Sequence, residues 1–523
     1  MKTIRHALSF LFVRSLIVLI GVTAIGVSPS LALDGQIGIH DPSTLMLCDG
    51  KYYTWGTGGT ALVSDDGWTW RRGTRATRSG AAPDVIHIGD KYFQHISHGT
   101  MIWTKSLDPN SPDYGWQDGG SRIVGKESAD DFMNPIDPGL FLDPTTGKLW
   151  MTYGSYFGYT RVVELNLETG LRVDDKYYDI AVNCEATTMI YHDGWYYLLA
   201  THGSCCRGAD SGYNIRVGRS KKVSGPFLDN MDMDMMQGGG KLVIGSSGRL
   251  IGPGHFGLMD LGDGVQKFSL HWEADLDRGG ASVVDIIPLL WKDGWPLAGE
   301  NFKEGTYAIE SARTGTSLEM AVEGVPVGGR RSRGARGAMP RAGARGTRGA
   351  MPGAAPGGAR AGGARAGARA GGGMFGGGGM FGGTGSVIPD QDVAEVSANW
   401  PKENVDVRLA NYMCQAQQKW TVTPVADAGG YPGSPYFKIT VAGTDRTLAV
   451  TEGAELITLP AFTGGIEQLW RLDQLTDGTW RIMPKFASIS NESLVLSAVG
   501  SSFATLAKFD PTSDKQRWLF KTP

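Results

Sequence analysis

Residues 183–208 read NCEATTMIYHDGWYYLLATHGSCCRG. The pair Asp193-Gly194 separates two apolar and aromatic runs, and Asp-Gly in that setting is a strong signal for a tight β-hairpin. Glu185 then stands at the beginning of the first strand, and the run at 195–200 forms the strand that returns beside it. This stretch therefore predicts an antiparallel pair of strands with an ionisable side chain at one end.

The same unit recurs along the first half of the chain, with an ionisable residue shortly before each turn. The five ionisable residues are Asp41, Asp84, Asp137, Glu185 and His255. β units that repeat at roughly 40–50 residues are typical of a β-propeller. The interval before His255 is longer than the others and requires an inserted loop. If the five first strands line a central axis, these side chains meet at one end of that axis.

The composition limits the classes of partner. The chain has 523 residues, which is enough for two or more domains, and its hydrophobic content of 41% is enough for packed cores. The formal net charge is −3, so the whole protein offers no electrostatic argument for binding nucleic acid. The sequence makes no prediction about the oligomeric state.

The N-terminus, at residues 1–32, is interpreted as a signal peptide. Basic residues up to Arg14 precede an apolar run at residues 15–27, and Ser30-Leu31-Ala32 has the small-x-small pattern of a cleavage site. We therefore expect a secreted or periplasmic protein that begins at Leu33 and has no membrane segment after cleavage. An uncleaved membrane anchor is the alternative, but the run is shorter than the about 20 residues that a span needs.

The cysteines do not indicate a disulfide framework. There are five, an odd and low number for an exported protein: Cys48, Cys184, Cys205, Cys206 and Cys414. Bonding between neighbouring cysteines strains the disulfide geometry, so we do not expect it for the adjacent pair. Buried free thiols are the main prediction. A disulfide from Cys48 or Cys184 to one member of the adjacent pair is the alternative.

The last part of the chain has its own repeat, made of three Gln-x-Trp triplets. The triplets end at Trp420, Trp470 and Trp518, at intervals of 50 and 48 residues. A strand carrying a leucine, Leu448 or Leu494, precedes each of the last two triplets by a little over twenty residues. In the first repeat the corresponding leucine is Leu318, and the interval to Trp420 is much longer.

A tract at residues 325–388 accounts for that longer interval. It consists mainly of Gly, Ala, Arg and Pro, and such a composition cannot bury enough apolar surface to offset the entropy of ordering. We expect a disordered loop inserted inside the first repeat, rather than a linker between domains. Arg/Gly-rich segments can bind RNA or anionic polymers. In an exported protein we prefer a flexible insertion, with contact to acidic polysaccharide or the cell surface as the alternative role.

Three spaced Gln-x-Trp triplets resemble the ricin-type β-trefoil lectin family, over about residues 303–523. In that family the Gln and Trp are mostly core residues, so the resemblance implies the fold and leaves the ligand open. A sugar-binding module and a packing module that has lost its sugar sites both remain possible. The predicted fold class is thus all-β, with a five-bladed β-propeller followed by a β-trefoil that carries the long disordered insertion.

The acids of the first domain point to glycosidic bond cleavage. One carboxylic acid must stay protonated to donate to the leaving oxygen, and another must be ionised to deprotonate water. An apolar environment or a neighbouring carboxylate raises the pKa of the proton donor. Asp41, Asp137 and Glu185 stand in suitable positions, and a proline after each aspartate is expected at the beginning of a strand.

Four motifs together resemble glycoside hydrolase family 43, whose members are five-bladed propellers that invert the anomeric carbon. The motifs are His-Asp-Pro-Ser at 40–43, Ala-Pro-Asp-Val at 82–85, Ile-Asp-Pro-Gly at 136–139 and Cys-Glu-Ala at 184–186. The resemblance extends over about residues 34–300, so we assign the catalytic domain to 33–300. Ser204–Gly208 and Gly252–His255 are similar to the endo-α-1,5-L-arabinanase branch, which implies arabinan as the substrate.

The resemblance also implies roles for individual residues. Asp41 would be the general base, Glu185 the general acid and Asp137 the residue that tunes the pKa of the acid. His255 would hold a central Ca²⁺ or Na⁺ ion with the help of water, whereas such a residue considered alone is more often an ordinary hydrogen-bonded histidine. No organic cofactor is implied. The candidate substrate-binding residues are His40, Asp84, Asn134, Ser155 and Cys205.

Two departures from the family pattern leave the substrate open. Ala81 precedes Ala-Pro-Asp where an aromatic residue is common, and Thr187 follows Glu-Ala where proline is usual. The first hypothesis is an exported endo-acting arabinanase. The alternatives are an exo-acting α-L-arabinofuranosidase or β-xylosidase, and a non-catalytic carbohydrate-binding protein.

Overall fold

The structure is a computed structural model that describes residues 33–120, 135–262, 264–322, 393–486 and 493–523. The predicted signal peptide at 1–32, the candidate residue Asn134 and the Gly/Arg-rich tract at 325–388 lie outside these ranges. The described residues up to Val322 and from residue 393 onward belong to one compact unit. Within the described ranges, no helix is both long enough and apolar enough to cross a membrane.

The described residues before position 300 form five sheets, the blades of a propeller, and these are antiparallel except for the parallel pairing of β1 with β5. Blade 1 contains β1 (Asp34–Gly35), β2 (Met46–Cys48), β3 (Lys51–Gly56), β4 (Thr60–Ser64) and β5 (Thr69–Arg72), and blade 2 contains β6 (Asp84–Ile88), β7 (Lys91–Ile96), β8 (Thr100–Thr104) and β9 (Gln117–Gly120). Blade 3 contains β10 (Gly139–Leu142), β11 (Leu149–Tyr153), β12 (Tyr159–Leu165) and β13 (Tyr178–Val182). Blade 4 contains β14 (Glu185–His192), β15 (Trp195–His202), β16 (Asn214–Ser220) and β17 (Lys241–Ile244), and blade 5 contains β18 (Leu250–Asp260), β19 (Gln266–Asp275), β20 (Ala281–Lys292) and β21 (Trp295–Ala298). The predicted all-β propeller with five blades is therefore confirmed.

The hairpin of residues 183–208 forms as predicted. β14 pairs with β15, and His192 lies opposite Trp195 across the turn. Asp193 and Gly194 both have positive φ, at 46° and 78°, which is the backbone of a type I′ turn. Such a turn has the twist of the strands that it joins, so the Asp-Gly pair determines the register of the blade.

The inner strands are buried on both faces. On β15, Tyr197 and Leu199 enter one core cluster, whereas Leu198 and Ala200 enter another. Alternate residues of a strand point to opposite faces, so one strand contributes to the packing on both sides of its blade. Removal of this apolar surface from water stabilises the ring by about 25 cal/mol for each Å².

The N-terminal segment closes the ring. The Ile39 N–H donates to the carbonyl of Ser282 at 3.2 Å, and the Val284 N–H donates to the carbonyl of Ile37 at 3.0 Å. This segment therefore pairs with β20 of blade 5, while β1, just before it, pairs in parallel with β5 of blade 1. The N-terminal segment is therefore the link between blade 5 and blade 1.

One residue in each blade, next to the beginning of the innermost strand, has a positive φ without being glycine. These residues are Asp41, Ala82, Asp137, Ala186 and His255, with φ between 42° and 58°. Non-glycine residues rarely adopt this conformation, and it clusters at functional sites. The sequence analysis treated Asp41, Asp84, Asp137, Glu185 and His255 as equivalent positions, and the structure corrects this. Glu185 lies one residue before the positive-φ residue of its blade, Ala186, and Asp84 lies two residues after that of its blade, Ala82. The sequence does not reveal how many residues the chain uses to enter each strand.

The C-terminal region is β-rich and contains one short helix, α1 (Val393–Ser397). The other helical elements of the described chain are nine 3₁₀ turns, which occur in both regions. Its strands are β22 (Gly305–Ser311), β23 (Ser317–Met320), β24 (Val405–Ala410), β25 (Trp420–Pro424), β26 (Gly430–Tyr431), β27 (Ser434–Pro435), β28 (Phe437–Val441), β29 (Thr447–Val450), β30 (Leu456–Leu459), β31 (Trp470–Gln474), β32 (Trp480–Pro484), β33 (Leu494–Val499), β34 (Phe503–Lys508) and β35 (Trp518–Lys521). In the described part of the chain, all except β26 and β27 join one network of 12 strands. β23 pairs with β24, so the strands on either side of the undescribed tract lie side by side.

The three Gln-x-Trp triplets make the same contacts in each repeat. The indole N–H groups of Trp420, Trp470 and Trp518 donate to the carbonyls of Leu318, Leu448 and Leu496 at 2.9–3.0 Å. Each glutamine accepts from one backbone N–H and donates to one backbone carbonyl of the preceding loop. The third leucine is therefore Leu496 and not the predicted Leu494. This threefold repetition is compatible with a β-trefoil.

Candidate active site

The structure brings Asp41, Asp137 and Glu185 together at one end of the propeller axis. All three are buried, with 8%, 5% and 7% of their surface exposed. Oδ2 of Asp137 accepts a hydrogen bond from the N–H of Ala186 at 3.2 Å, and the negative charges of Asp41 and Glu185 act directly on Asp137. The ring of hairpins thus delivers three carboxylic acids to one place.

Asp41 lies in a network of polar side chains. Its Oδ2 accepts a hydrogen bond from Thr57 Oγ1 at 2.5 Å and lies 2.8 Å from Nδ1 of His40, while its Oδ1 lies 3.2 Å from Nδ1 of His255. Burial raises the pKa of Asp41, but His255, His40 and His271 outweigh burial and hold that pKa well below its ordinary value. Asp41 is therefore held as a carboxylate, the state that a general base requires.

His40 connects Asp41 to a fourth acid, Glu273. Nε2 of His40 lies 2.9 Å from Oε1 of Glu273. Burial lowers the pKa of His40, but the hydrogen bonds to Asp41 and Glu273 outweigh burial and raise that pKa to about 10. Burial raises the pKa of Glu273, and the hydrogen bonds from His271 and His40 reverse this and hold it well below its ordinary value. His40 is thus a cation between two carboxylates.

His271 and Glu273 are functional neighbours that the sequence analysis did not assign. They alternate on β19, so their side chains point to the same face of the strand. The backbone N–H of Asp41 donates to Nδ1 of His271 at 3.1 Å, and Nε2 of His271 lies 3.4 Å from Oε1 of Glu273. The spacing of two ionisable residues at i and i+2 in a predicted inner strand is the signal that could have found them.

Glu185 has a different environment from Asp41. The hydroxyl of Tyr213, another residue that the sequence analysis missed, donates to Oε1 of Glu185. Burial raises the pKa of Glu185, the hydrogen bond from Tyr213 opposes this rise, and the charges of Asp41 and Glu273 add to it. A carboxylic acid with a raised pKa keeps its proton to higher pH, which suits a general acid.

Asp137 is a buried acid whose surroundings raise its pKa. Burial raises its pKa well above the ordinary value, and the charges of Asp41 and Glu185 raise it further. Its hydrogen bond to the N–H of Ala186 fixes the residue next to Glu185. Asp137 therefore orients the chain that carries the predicted acid, and its predicted influence on the pKa of Glu185 stays a prediction.

Asp84 is buried between blades. Its Oδ1 accepts from the N–H of Thr44 at 2.9 Å in blade 1, and its Oδ2 accepts from the N–H of Leu140 at 2.8 Å in blade 3. One carboxylate thus ties three blades together through backbone donors. Asp84 has this structural role because it lies further along its strand than Asp41 does. The predicted contact of Asp84 with substrate stays a prediction.

The other candidate substrate-binding residues lie close to the acids or outside the described ranges. Ser155 is buried, and its Oγ has no hydrogen-bond partner among the described residues. His40 is half-buried, with 27% of its side chain exposed. Cys205 is half-buried beside His40 and Glu273. Asn134 lies in the segment that the structure does not describe.

The prediction of unpaired thiols is wrong for the adjacent cysteines. Cys205 and Cys206 form a disulfide, and Cys48, Cys184 and Cys414 are free. The prediction considered only the geometric strain of a disulfide between adjacent cysteines. Cys206 takes a positive φ of 63°, a local backbone conformation that the sequence does not reveal.

His255 fits the predicted role of a cation ligand. Burial lowers the pKa of His255 to about 4, so its imidazole is neutral at ordinary pH. Neither ring nitrogen has a hydrogen-bond partner within the described chain. A neutral, buried imidazole with unsatisfied nitrogens has the donor atoms that a metal ion requires.

Comparisons with known proteins identify the family. The profile of glycosyl hydrolases family 43 matches residues 51–296. Extracellular exo-α-(1→5)-L-arabinofuranosidase ArbA of Cellvibrio japonicus is 31% identical over 308 residues, which cover 51% of this chain and 87% of that protein. The chain belongs to glycosyl hydrolase family 43. The resemblance that the four motifs indicated is confirmed for the propeller.

Other relatives of this family 43 hydrolase match the same half of the chain. Extracellular endo-α-(1→5)-L-arabinanase 1 of Bacillus subtilis is 28% identical over 290 residues, which cover 49% of this chain and 87% of that protein. The solved structure of Cellvibrio cellulosa α-L-arabinanase is 29% identical and covers 50% of this chain and 96% of that chain, with a TM-score of 0.47. The family match ends before the C-terminal region, whose ricin-type identity stays a prediction.

The two acids of this family 43 enzyme have pKa values that are shifted in opposite directions. The neighbouring histidines hold the pKa of Asp41 down, and burial raises the pKa of Glu185. These shifts favour an ionised Asp41 and a Glu185 that keeps its proton to higher pH, which suits a base and an acid for glycosidic bond cleavage.

Proposed function

We propose that this enzyme hydrolyses the α-1,5-linked L-arabinofuranosidic bonds of arabinan and inverts the anomeric carbon. The observation that carries the proposal is the contrast between Asp41, whose carboxylate His40 and Thr57 contact, and Glu185, whose pKa burial raises. Arabinan as the substrate is supported by the names of the relatives, an arabinofuranosidase and an arabinanase.

In the proposed reaction, Glu185 donates its proton to the oxygen that leaves. Asp41 accepts a proton from the water that attacks the anomeric carbon. Asp137 holds the chain at Ala186 so that the acid stays oriented towards the bond. Attack on the face opposite the leaving group inverts the configuration of the sugar.

His255 is the residue that would hold a Ca²⁺ or Na⁺ ion at the centre of the propeller. A bound cation would supply positive charge close to Asp41, since Nδ1 of His255 lies 3.2 Å from that carboxylate. Asp41 does not need the ion to be held in place, because Thr57 and His40 contact its carboxylate directly. We propose no organic cofactor.

We also propose that the protein is exported and that its C-terminal region is a ricin-type β-trefoil. Export is supported by the predicted signal peptide and by relatives that are named extracellular. The trefoil is supported by the threefold repetition of the contacts of Trp420, Trp470 and Trp518. Its role is either sugar binding or packing against the propeller.

The mode of attack has two candidates. Endo-action is supported by the Bacillus subtilis relative and by the motif at 204–208, whereas exo-action is supported by the Cellvibrio japonicus relative, which is named an exo-acting enzyme. Endo-acting enzymes release a range of oligomers early in the reaction, and exo-acting enzymes release one short product from the beginning.

Product analysis over time on linear arabinan, debranched arabinan and xylan tests the proposal. We expect arabino-oligosaccharides from both arabinans, no release from xylan, and a first product with inverted configuration in proton NMR. Release from xylan alone would favour a β-xylosidase. Binding of all three polymers without any release would favour a non-catalytic protein.

A further inference from the structure

Blade 2 has no step in the proposed reaction, although it lies between the blade that carries Asp41 and the blade that carries Asp137. Asp84 is the first residue of β6 in blade 2, and only 6% of its surface is exposed. A buried carboxylate is costly unless hydrogen-bond donors satisfy its oxygens. The donors that Asp84 has found therefore indicate what this residue does.

The two oxygens of Asp84 bond the two chain segments that follow Asp41 and Asp137. Oδ1 accepts from the N–H of Thr44 at 2.9 Å, and Oδ2 accepts from the N–H of Leu140 at 2.8 Å. Thr44 comes three residues after Asp41, and Leu140 comes three residues after Asp137. Three residues of chain span at most about 10 Å, so each bond lies close to one acid of the site. A single carboxylate thus joins both segments at the same offset from their acids.

A second layer of hydrogen bonds repeats this arrangement closer to the acids. Thr57 Oγ1 accepts from the N–H of Ala82 at 2.8 Å and donates to the carboxylate of the proposed general base. Ser97 Oγ donates to the carbonyl of Ala81 at 2.6 Å and accepts from the N–H of Asp137 at 3.4 Å. Blade 2 therefore contacts both acid-bearing segments at two levels, which fixes their direction as well as their distance.

The same bonds continue to the proposed general acid. Oδ2 of Asp137 accepts from the N–H of Ala186 at 3.2 Å, and Ala186 directly follows Glu185. In an inverting hydrolase the two carboxyl groups must be roughly 6.5–9.5 Å apart, so that a water molecule fits beside the sugar. A displacement of about 1 Å can lower the rate by about 10²-fold, even when its cause lies away from the reacting atoms.

We propose that Asp84 is a positioning residue that sets the separation of Asp41 from Glu185 by holding the segments at Thr44 and Leu140. The inference rests on the proposed function, in which these two acids are the base and the proton donor. Asp84 needs no contact with the sugar for this role. It needs two acceptor oxygens at the reach of an aspartate side chain, between two N–H donors.

Two substitutions separate acceptor number from reach. Asparagine keeps the reach but offers one acceptor, and it places an NH₂ group against the other N–H. Glutamate keeps both acceptors and is one methylene group longer. The full-length variants Asp84→Asn and Asp84→Glu are assayed on α-1,5-arabinohexaose well below their melting temperatures. We expect kcat to fall by about 10²-fold for asparagine and about tenfold for glutamate, with KM within about threefold, because only the spacing of the reacting groups changes.

Asp143→Asn is the matched control for the loss of a buried carboxylate. Asp143 is buried, and it accepts from the N–H of Thr145 at 2.9 Å and from the hydroxyl of Tyr196 at 3.0 Å. It follows β10, at the end of the β10–β11 hairpin that is remote from Asp137. This variant should have a lower melting temperature and a kcat within about twofold of the parent.

A double variant shows whether Asp84 acts through the base. Once Asp41→Asn has removed the base, the separation of the base from the acid no longer matters. Asp41→Asn/Asp84→Asn should therefore be slower than Asp41→Asn alone by no more than about threefold. A general loss of structure would lower kcat by the same factor with or without the base.

Five results would overturn the inference. They are an unchanged kcat in a folded Asp84→Asn variant, a full kcat in Asp84→Glu, an equal fall of kcat in Asp143→Asn, effects that multiply in the double variant, and failure of both position-84 variants to fold, which would make Asp84 a requirement of folding alone. Each leaves the proposed function intact if the parent cleaves arabinohexaose. A parent that does not cleave it would overturn the proposed function, and this inference with it.

Discussion

Asp41 and Glu185 are both buried carboxylic acids, yet their neighbours shift their pKa values in opposite directions. Asp41 faces His40 and Thr57, which donate to its oxygens, whereas Glu185 faces one hydroxyl and the negative charges of other acids. A shift of one pKa unit corresponds to about 1.4 kcal/mol between the two protonation states. Small differences in local partners are therefore enough to separate an acid from a base.

Glu185→Gln should remove turnover and leave the fold intact. Glutamine keeps the size of the side chain and can accept the hydrogen bond from Tyr213, but it has no proton to donate to the leaving oxygen. We expect kcat on linear arabinan to fall by about 10²–10⁴-fold with an unchanged melting temperature. Glu168→Gln, the same change at an exposed residue, is the matched control and should keep full activity. A variant at position 185 that retains activity within a few-fold would contradict the assignment.

His95 should make the protein sensitive to acid. It is fully buried on β7, and within the described chain neither of its ring nitrogens has a hydrogen-bond partner. Burial lowers the pKa of His95 to about 3, below the ordinary 6.5. Between these values the unfolded chain binds a proton that the folded protein does not, so the free energy of unfolding falls as pH decreases from 6.5 towards 3, by up to about 1.4 kcal/mol per pH unit.

His95→Phe removes that proton uptake and keeps a ring of similar size. We expect the variant to lose less stability than the parent between pH 7 and pH 4, measured by urea unfolding at each pH. The difference in stability between the variant and the parent at pH 7 measures the change in packing, and it is kept apart from the dependence on pH. His87→Phe, at an exposed position on β6, should retain the acid sensitivity of the parent. Equal losses of stability between pH 7 and pH 4 in the parent and in the His95→Phe variant would exclude His95 as the source of the acid sensitivity.

At the scale of the element, the hairpin turns determine which side chains reach the axis. A slip of one residue in a strand moves every side chain to the opposite face, so the turn that sets the register also determines which acids are buried. Asp193-Gly194, Asp49-Gly50 and Asp293-Gly294 all have the paired positive φ angles of type I′ turns. The turns at Asp49-Gly50 and Asp193-Gly194 close the β2–β3 and β14–β15 hairpins, and the opposite ends of these hairpins lie next to Asp41 and Glu185.

Gly194→Ala should destabilise the propeller by about 1 kcal/mol. The φ of Gly194 is +78°, and a Cβ there would meet only Nζ of Lys221 at 3.8 Å, so the cost is that of the left-handed backbone rather than of a clash. Gly245→Ala is the matched control, because its φ is ordinary and nothing lies within 4 Å of its added Cβ. Thermal unfolding of both variants checks the prediction, and an equal melting temperature for the two would contradict it.

At the scale of the whole molecule, a buried charge cluster joins the propeller to the C-terminal region. Lys267 of β19 donates to the carbonyl of Pro432, and its Nζ lies 3.7 Å from Oδ1 of Asp473. Asp473 also bonds Arg471 at 2.7 Å and Arg481 at 2.8 Å. One buried carboxylate thus faces Lys267 across the boundary between the two regions, and Arg471 and Arg481 within its own region.

Asp473→Asn should destabilise the protein by about 3–5 kcal/mol, since it leaves the buried Lys267 and Arg481 and the half-buried Arg471 without a carboxylate. Asp427→Asn, an exposed aspartate in the same region, is the control and should have little effect. Calorimetry should show a lower melting temperature only for the first variant. An unchanged transition for Asp473→Asn would mean that the two regions do not depend on this cluster.

Sequence patterns predicted the elements that local chemistry controls. The Asp-Gly turns, the alternating runs and the repeated Gln-x-Trp triplets each depend on residues close in the chain, and so they predicted the propeller and the repeat of the C-terminal region. The family motifs predicted that Asp41, Asp137 and Glu185 would meet, and the structure brings them together. Two predictions were wrong by two residues: the equivalence of Asp84 to Asp41, and Leu494 as the leucine of the third repeat. A loop or a bulge shifts the register of a strand and leaves no signal in the composition.

The sequence by itself determined the all-β architecture, the family and the identity of the three acids, since these depend on local periodicity and on motifs of a few residues. Tertiary structure alone decided the partners of those acids: His40 between Asp41 and Glu273, Tyr213 on Glu185, and the bond between Cys205 and Cys206. The physical reason is that charge and hydrogen bonding act over a few ångströms in space. Residues that are 233 positions apart in the chain, such as His40 and Glu273, become neighbours only when the ring closes.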